Sequence, residues 1–558
     1  MIADDYLEIQ HRPLFSSTEA TIFILANGKR IVSSARCNNY LKINKNNRFN
    51  HDQYNFKDQS NNNNQQQQQS KFNLSNIFTI SSIGICLIAG GTASLLDQNQ
   101  IKIPVEAMNE LKSLLGDRVD LSKGDIEAHG KDFSYHPPHN PEAVVYPKTE
   151  EEVTGIINIC SKYNVPIIPY GSGTSLEGHI HAYHGGVCID FRLMKKVIKL
   201  ELDDFHVTVQ PGITYDELNE ELLPHGYFFA MDPGPGASIG GMVGTSCSGT
   251  HAVKYGTMKD NVLALRVVLP DGRLVKTRTV AKKSSAGYDL THLFIGAEGT
   301  LGVVTEVTLK IHPLPERTAV SLVTFDSIED ASKTVIQTMQ DGIQIGRAEL
   351  LDDVMLKAVN LSNDTQFEEV PTLIFEFTGS PAQVDEQILK VESISAKNKC
   401  NKFTFATDPV EREKLWFARK VALWSATTLK PGNEVLITDV CVPISQLSKI
   451  IVETKKDIES TSLLAPLVSH AGDGNFHLFV LFDPNNQKEL NEAKSLSDKL
   501  VHRALEMGGT CTGEHGVALG KKKYLEKELG KNAVDLMKTI KRTIDPKNIM
   551  NPGKVIDV

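Results

Sequence analysis

Two histidines, His470 and His477, flank the turn Gly472-Asp-Gly-Asn475, and a second glycine-bounded run, Gly513-Glu514-His515-Gly516, follows in the same half of the chain. Pro466 to His470 and Phe476 to Phe482 read as buried strands, so both imidazoles can project from one end of a hairpin. Glu514 adds a carboxylate. Two histidines and one carboxylate make a divalent-metal set that leaves coordination positions open for a substrate. His515 is then free to act as a base. Any one of these histidines taken alone is more often a solvated turn residue. Three ligands and a spare base in two glycine-flanked loops argue the other way.

These residues need a scaffold, and the C-terminal half supplies the pattern of one. Ala319–Phe325 and Thr372–Phe377 read as strands, Ile328–Met339 and Pro381–Lys397 as helices, an alternation that suits an α+β domain. Pro409 to Thr427 is expected as one helix bearing Trp416, Arg419 and Trp424, Val435 to Val442 as a strand, and Lys488 to Glu506 as a helix. The guanidinium fork of Arg419 suits a carboxylate, although solvent exposure is the commoner fate of an arginine.

The preceding region predicts a different α+β domain, ending near Pro313-Leu-Pro315. Met108–Leu115 reads as a helix, Ala143–Tyr146 as a strand, and Glu150–Tyr163 as an amphipathic helix with Val153, Ile156, Ile157 and Cys160 inward. Val165–Pro169 is a strand that feeds Gly171-Ser-Gly-Thr-Ser-Leu-Glu-Gly178, whose backbone amides can converge on an anion. This loop is neither Gly-x-Gly-x-x-Gly nor a Gly-Lys-Ser/Thr loop, which disfavours a doubly wound nicotinamide fold. A second glycine-dense loop runs from Asp232 to Gly249 and lets backbone approach a large ligand. Two such loops suggest one extended ligand. Val262–Leu269 and Leu274–Thr277 read as a hairpin turned by Asp271-Gly272, and Val303–Ile311 closes the region as a strand.

A chain of 558 residues exceeds one hydrophobic core, so two folded domains with additions are expected. A net charge of -9 argues against a nucleic-acid partner. The eight cysteines show no Cys-x-x-Cys pair, which fits a reduced interior. Up to Asp97 the chain does not read as globular: the run Asn61 to Gln69 cannot bury a core. Ala20 to His51 has no acidic residue but six basic ones, Lys29, Arg30, Arg36, Lys42, Lys45 and Arg48. That bias resembles a mitochondrial presequence, from which the acidic Asp4, Asp5 and Glu8 depart. Ile77 to Leu96 is uncharged and approaches the roughly 20 residues that cross a bilayer, as an inner-membrane anchor or a cleaved sorting signal.

Pro169-Tyr-Gly-Ser-Gly-Thr-Ser-Leu-Glu-Gly178, Gly240-Gly-Met-Val-Gly-Thr-Ser246, Gly296-Ala-Glu-Gly-Thr-Leu-Gly302, His470-Ala-Gly-Asp-Gly-Asn-Phe-His477, Thr512-Gly-Glu-His-Gly516 and Asn551-Pro-Gly-Lys554 occur in this order. As an ensemble they resemble the FAD-dependent D-2-hydroxyacid dehydrogenases of the vanillyl-alcohol oxidase fold, over roughly residues 100 to 558. The resemblance implies a p-cresol methylhydroxylase-type FAD domain at 98–315, a substrate and metal cap domain at 316–539 with an antiparallel sheet covered by helices, and a segment 540–558 returning to the flavin, after an N-terminal segment 1–97.

It further implies non-covalent FAD, since the run before His179 is Leu-Glu-Gly178 where members with a covalent link carry Gly-Gly. Gly171, Ser172, Gly173, Thr174 and Ser175 would hold the pyrophosphate. Pro233, Gly234, Ser238, Gly241, Thr245, Ser248, Glu298, Gly299, Val303 and Asn551 would line the rest of the cofactor. His470, His477 and Glu514 would bind zinc or manganese, Arg419 the substrate carboxylate with help from Asn475, and His515 would be the base.

The activity implied is oxidation of a small D-2-hydroxy acid, with cytochrome c or another one-electron acceptor. Members that oxidise D-2-hydroxyglutarate carry a lysine where this chain has Ile437, which favours D-lactate, since a second carboxylate would be buried unpaired there. D-2-hydroxyglutarate and glycolate oxidation remain alternatives. So does a non-redox flavoenzyme of the alkyl-dihydroxyacetone-phosphate synthase type, against which the His470, His477, Glu514 set speaks. A flavoprotein subunit without catalysis would not need that set together with His515.

Overall fold

The structure is a computed structural model that describes residues 101–558 apart from position 364, and two short strands, Ile24–Ala26 and Lys29–Ile31. The chain forms two compact units, residues 1–82 and 83–558. In the first, the two strands pair antiparallel, Ile24 opposite Ile31. The Asn/Gln run and the uncharged stretch 77–96 lie outside the described residues, as does the presequence-like stretch apart from those strands. Among the described residues no helix is long and apolar enough to cross a membrane.

Glu150–Tyr163 is helical for reasons written locally. Thr149 accepts a hydrogen bond from Glu152 N, Val153, Ile156, Ile157 and Cys160 share a buried face, and Asn164 ends the helix in the left-handed conformation. The helix connects strand Ala143–Val145 to strand Ile167–Tyr170. Both run parallel to Val187–Asp190, which lies between them. This crossover delivers the chain at Tyr170 into the first glycine loop. The central strand Val187–Asp190 escaped the sequence reading because all four residues are buried, so it shows no alternation.

A second, five-stranded antiparallel sheet has the order Leu274–Lys276, Val262–Val268, Val303–Lys310, His206–Val209, Val197–Glu201. Helix Ile239–Thr245, capped by Ser238, packs Ile239, Met242 and Val243 into its core and sets the second glycine loop beside the first.

The remaining large sheet is antiparallel, in the order Cys400–Ala406, Arg317–Phe325, Thr372–Gly379, Arg347–Leu351, Leu467–His470, Asn475–Phe482, Glu434–Ile437, with Val440–Cys441 also pairing with Asn475–Phe482. On one face, Val323, Leu350, Leu373, Leu467 and Leu478 bury against Ala331, Val384, Ile450 and Leu496 from four helices. Alternation sends their neighbours Leu351, Ile374, Val468 and Phe479 to the other face, against Met355, Trp416 and Ala422.

Two expected elements are interrupted. The helix expected over 409–427 breaks at Val421 into Pro409–Lys420 and Ala422–Thr428. The strand expected over 435–442 is interrupted at Thr438-Asp439, because Thr438 Oγ1 accepts Leu478 N and the Asp439 carboxylate is committed to another loop. Near the C-terminus, helix Lys531–Ile544 runs across position 540, where a tail was expected to start. Beyond it Ile167 N donates to Ile549 O and Asn551 N donates to Ile167 O, which sews the C-terminal segment onto the parallel sheet.

Candidate active site

Strand register explains why the histidines meet. Val468 pairs with His477 and His470 with Asn475. Residues directly opposite share a face, as do residues two apart, so His470 and His477 are diagonal neighbours on one face. Their ring centroids lie 5.4 Å apart. On the adjoining strand Glu349 pairs with His470, so its side chain joins the same face.

Glu514 approaches from outside the sheet. Its Oε1 lies 3.0 Å from His470 Nε2 and 3.2 Å from His477 Nε2, and its Oε2 accepts Ser248 Oγ at 2.6 Å. The loop that carries it is fastened by Asp439. One carboxylate oxygen of Asp439 accepts Thr512 Oγ1 and the backbone amides of Glu514 and His515, and the other accepts Asn475 Nδ2. Asp439 also lies close to His477, Glu514 and His515 and could join them around a cation. Its oxygens are already used by four donors in a fully buried position, so His470, with Nε2 directed at Glu514, is the better third donor.

Each ring has its far nitrogen fixed. His477 Nδ1 donates to Thr438 O at 3.0 Å, and His470 Nδ1 donates to Glu349 Oε1 at 2.8 Å. Both Nε2 atoms are thereby aimed at Glu514. His515 stacks on His477 at 4.7 Å between centroids, and its buried Nδ1 has no hydrogen-bond partner. Burial pushes the His515 imidazole down to about 4, so the ring is neutral at neutral pH. Burial also opposes charge on His470, but Glu349 and Glu514 outweigh it and hold that ring well above its ordinary value. Glu514 is displaced well below the usual carboxylate range: burial raises it, and His470 and His477 overcome the effect.

Arg419 sits in the last turn of its helix, just before the break at Val421. Its Nε donates to Glu349 Oε2 at 2.5 Å, and its Nη2 lies 3.3 Å from His470 Nε2. It is not a surface arginine. Glu349 was not picked out from sequence; the signal was an acid inside the otherwise apolar strand Ala348 to Leu351.

Arg419, His470, His477, Glu514 and His515 line one cavity of about 760 Å³, whose walls also include Gly171 to Ser175, Pro233, Gly234, Ser238, Gly241, Thr245, Glu298, Gly299, Val303 and Asn551. Two expected residues do not line it. Ser248 is turned to Glu514 instead of the cofactor space, and Asn475 is spent on Asp439 and Val440 O. The carboxylate of Glu298 is also occupied, accepting Val517 N and Ala518 N, so it ties the Glu514–His515 loop to the N-terminal domain. Gly171 leaves no room for a side chain: a Cβ there would lie 2.1 Å from Ser238 Oγ.

Residues 141–278 match the FAD binding domain family, and residues 314–555 match the FAD linked oxidases, C-terminal domain. The D-lactate dehydrogenase [cytochrome], mitochondrial, of Arabidopsis thaliana is 50% identical over 457 residues, covering 82% of this chain and 81% of that protein. The chain belongs to the FAD-dependent D-2-hydroxyacid dehydrogenase family.

A second member of this dehydrogenase family, the probable D-lactate dehydrogenase, mitochondrial, of Danio rerio, is 45% identical, covering 81% of this chain and 92% of that protein. Among solved structures, p-cresol methylhydroxylase with substrate bound aligns with a TM-score of 0.66 at 19% identity, covering 81% of this chain and 96% of that one, which shows the shared α+β fold. As a member of the dehydrogenase family the protein is an FAD-dependent oxidoreductase. The cavity fits that cofactor: Asn551 Oδ1 and His179 Nδ1 belong to residues on its wall and are buried without hydrogen-bond partners in the protein, as groups that meet a polar ligand edge would be.

Proposed function

We propose that this enzyme oxidises D-lactate to pyruvate in mitochondria, using non-covalent FAD and a divalent ion, zinc or manganese, and passes the electrons to cytochrome c. The observation that carries the reading is the convergence of His470 Nε2 and His477 Nε2 on a single oxygen, Glu514 Oε1, in the cavity that the glycine loops also line. The names of the relatives add D-lactate, the cytochrome acceptor and the mitochondrion, and the acid-free basic stretch 20–51 agrees with the last.

His470, His477 and Glu514 would hold the ion, whose contribution is Lewis acidity toward an alcohol oxygen, lowering the pKa of an O–H it contacts. FAD contributes the two-electron acceptor for the hydride on C2. The protein's own groups do the rest. Arg419 orients the substrate carboxylate through its fork. His515, neutral because it is buried, accepts the hydroxyl proton. Ile437, Val468 and Phe479 form an apolar wall beside the histidines, which accepts a methyl group and leaves a second carboxylate unpaired.

Anaerobic mixing with D-lactate, L-lactate, glycolate and D-2-hydroxyglutarate, following flavin absorbance, tests the substrate, and elemental analysis of the purified protein tests the ion. D-lactate is expected to bleach the flavin fastest, in a protein that retains a stoichiometric divalent metal. Fastest reduction by the diacid, or a metal-free protein at full activity, overturns the reading.

A further inference from the structure

Glu349 is fully buried in the middle of the cap sheet and divides its two oxygens between the two halves of the site. Oε1 accepts Nδ1–H of His470 at 2.8 Å and Oε2 accepts Nε–H of Arg419 at 2.5 Å. The two donors come from different elements: His470 ends a strand that pairs directly with the Glu349 strand, and Arg419 lies in the last turn of a helix packed on that sheet's face. No backbone pairing sets the distance between the helix end and His470. The shared carboxylate bridges the two, and Arg419 Nη2 lies 3.3 Å from His470 Nε2. Arg419 Nη2 and His470 Nε2, the latter also 3.0 Å from Glu514 Oε1, therefore lie side by side on residues that line the cavity.

We propose that Glu349 is a positioning residue that sets Arg419 and His470 relative to one another, so that the carboxylate and the 2-hydroxyl of one substrate molecule are gripped by groups anchored on a single side chain. The inference rests on the assignment of His470 to the ion and Arg419 to the carboxylate. Its physical content is that metal affinity and carboxylate affinity share an anchor. Removing Arg419 impairs one of them, and removing the anchor impairs both.

The test compares Glu349→Gln, Glu349→Asp and Arg419→Met, purified with FAD. Three quantities are read: Mn²⁺ affinity by competition with a chelator, KM against kcat for D-lactate, and the flavin spectrum with its thermal transition as a check on folding. Glu349→Gln is expected to weaken Mn²⁺ binding roughly 10- to 100-fold and to raise KM about tenfold or more, with FAD retained. Arg419→Met should raise KM alone and leave Mn²⁺ affinity within about threefold of the parent. Glu349→Asp keeps the charge on a shorter stem that cannot reach both donors, and should be impaired in both readouts. It carries the test if Glu349→Gln does not fold. Full rescue by Glu349→Asp would reduce Glu349 to a counter-charge, and unchanged Mn²⁺ affinity and KM in the Glu349 variants would remove it from the site; either result overturns the proposal. Failure of the underlying reading shows separately, as an unmutated protein that binds no Mn²⁺ or does not turn over D-lactate.

Discussion

Ser248 Oγ donates to Glu514 Oε2 at 2.6 Å across 266 positions of sequence. The bond joins the glycine loop of the FAD domain to the carboxylate that both histidines approach. The loop expected to touch only the cofactor therefore also orients a ligand of the proposed ion.

Ser248→Ala should keep FAD bound with its spectrum unchanged, because this side chain does not line the cofactor cavity. Loss of the hydrogen bond frees one oxygen of Glu514 and is expected to weaken divalent-metal binding roughly 10-fold. Measuring FAD retention and metal affinity on one preparation decides it. Loss of FAD with intact metal binding would return Ser248 to the cofactor.

His515→Ala removes the imidazole that stacks on His477 and leaves the His470, His477, Glu514 set in place. Substrate-driven flavin bleaching is expected to slow by roughly 10²- to 10⁴-fold, the usual range for a lost general base. FAD content should hold. Rapid-mixing absorbance checks both, and unimpaired bleaching would remove His515 from the mechanism.

Ile437 pairs with Phe479 and belongs to the apolar wall of the cavity. Ile437→Lys places a cation there that a second carboxylate can use. D-lactate oxidation should fall on the order of tenfold in kcat/KM, since an unpaired ammonium is then buried. The ratio of D-2-hydroxyglutarate to D-lactate turnover should rise, and an unchanged ratio would show that this wall does not select substrate size.

Lys554 is buried beside the C-terminus, where Nζ donates to His181 O at 2.6 Å. Burial pushes its ammonium down to about 7, only partly opposed by Glu298 and Asp132. An unfolded chain keeps that proton up to about 10.4. Between these values the unfolded state binds more protons than the native one, so Lys554 makes stability rise with pH in this window, while below about 7 its cost is complete. Lys554→Met removes the titration. Denaturation midpoints at pH 7 and pH 9 should show the variant's stability relative to the parent falling as pH rises, by on the order of 2 kcal/mol. A difference independent of pH would contradict the assignment.

Local pattern went far in the cap domain. The helix expected over Pro381–Lys397 forms with those ends; Ser380 and Gln383 make a capping box at its start, and the apolar residues Val384, Ile388, Val391 and Ile394 keep helical spacing. The expected helix over 409–427 failed at Val421, where no Gly or Pro signals a break. The inward turn of Arg419 depends on Glu349, 70 positions away. Asn475 was legible as a polar residue beside the site, but its partner Asp439 arrives through strand pairing and fixed its side chain away from the substrate space.

The sequence by itself determined that His470 and His477 share a face, because the turn length and the two-residue period of paired strands fix the parity of both positions. It also carried the first glycine loop, where Gly173 and Gly178 take positive φ. The tertiary structure decided that Glu514 reaches those rings, that Ser248 and Asp439 hold its loop, and that Glu349 aims both His470 and Arg419. Each of these contacts joins segments tens to hundreds of positions apart, and a periodicity of two or 3.6 residues carries no record of which distant strand or loop will lie alongside.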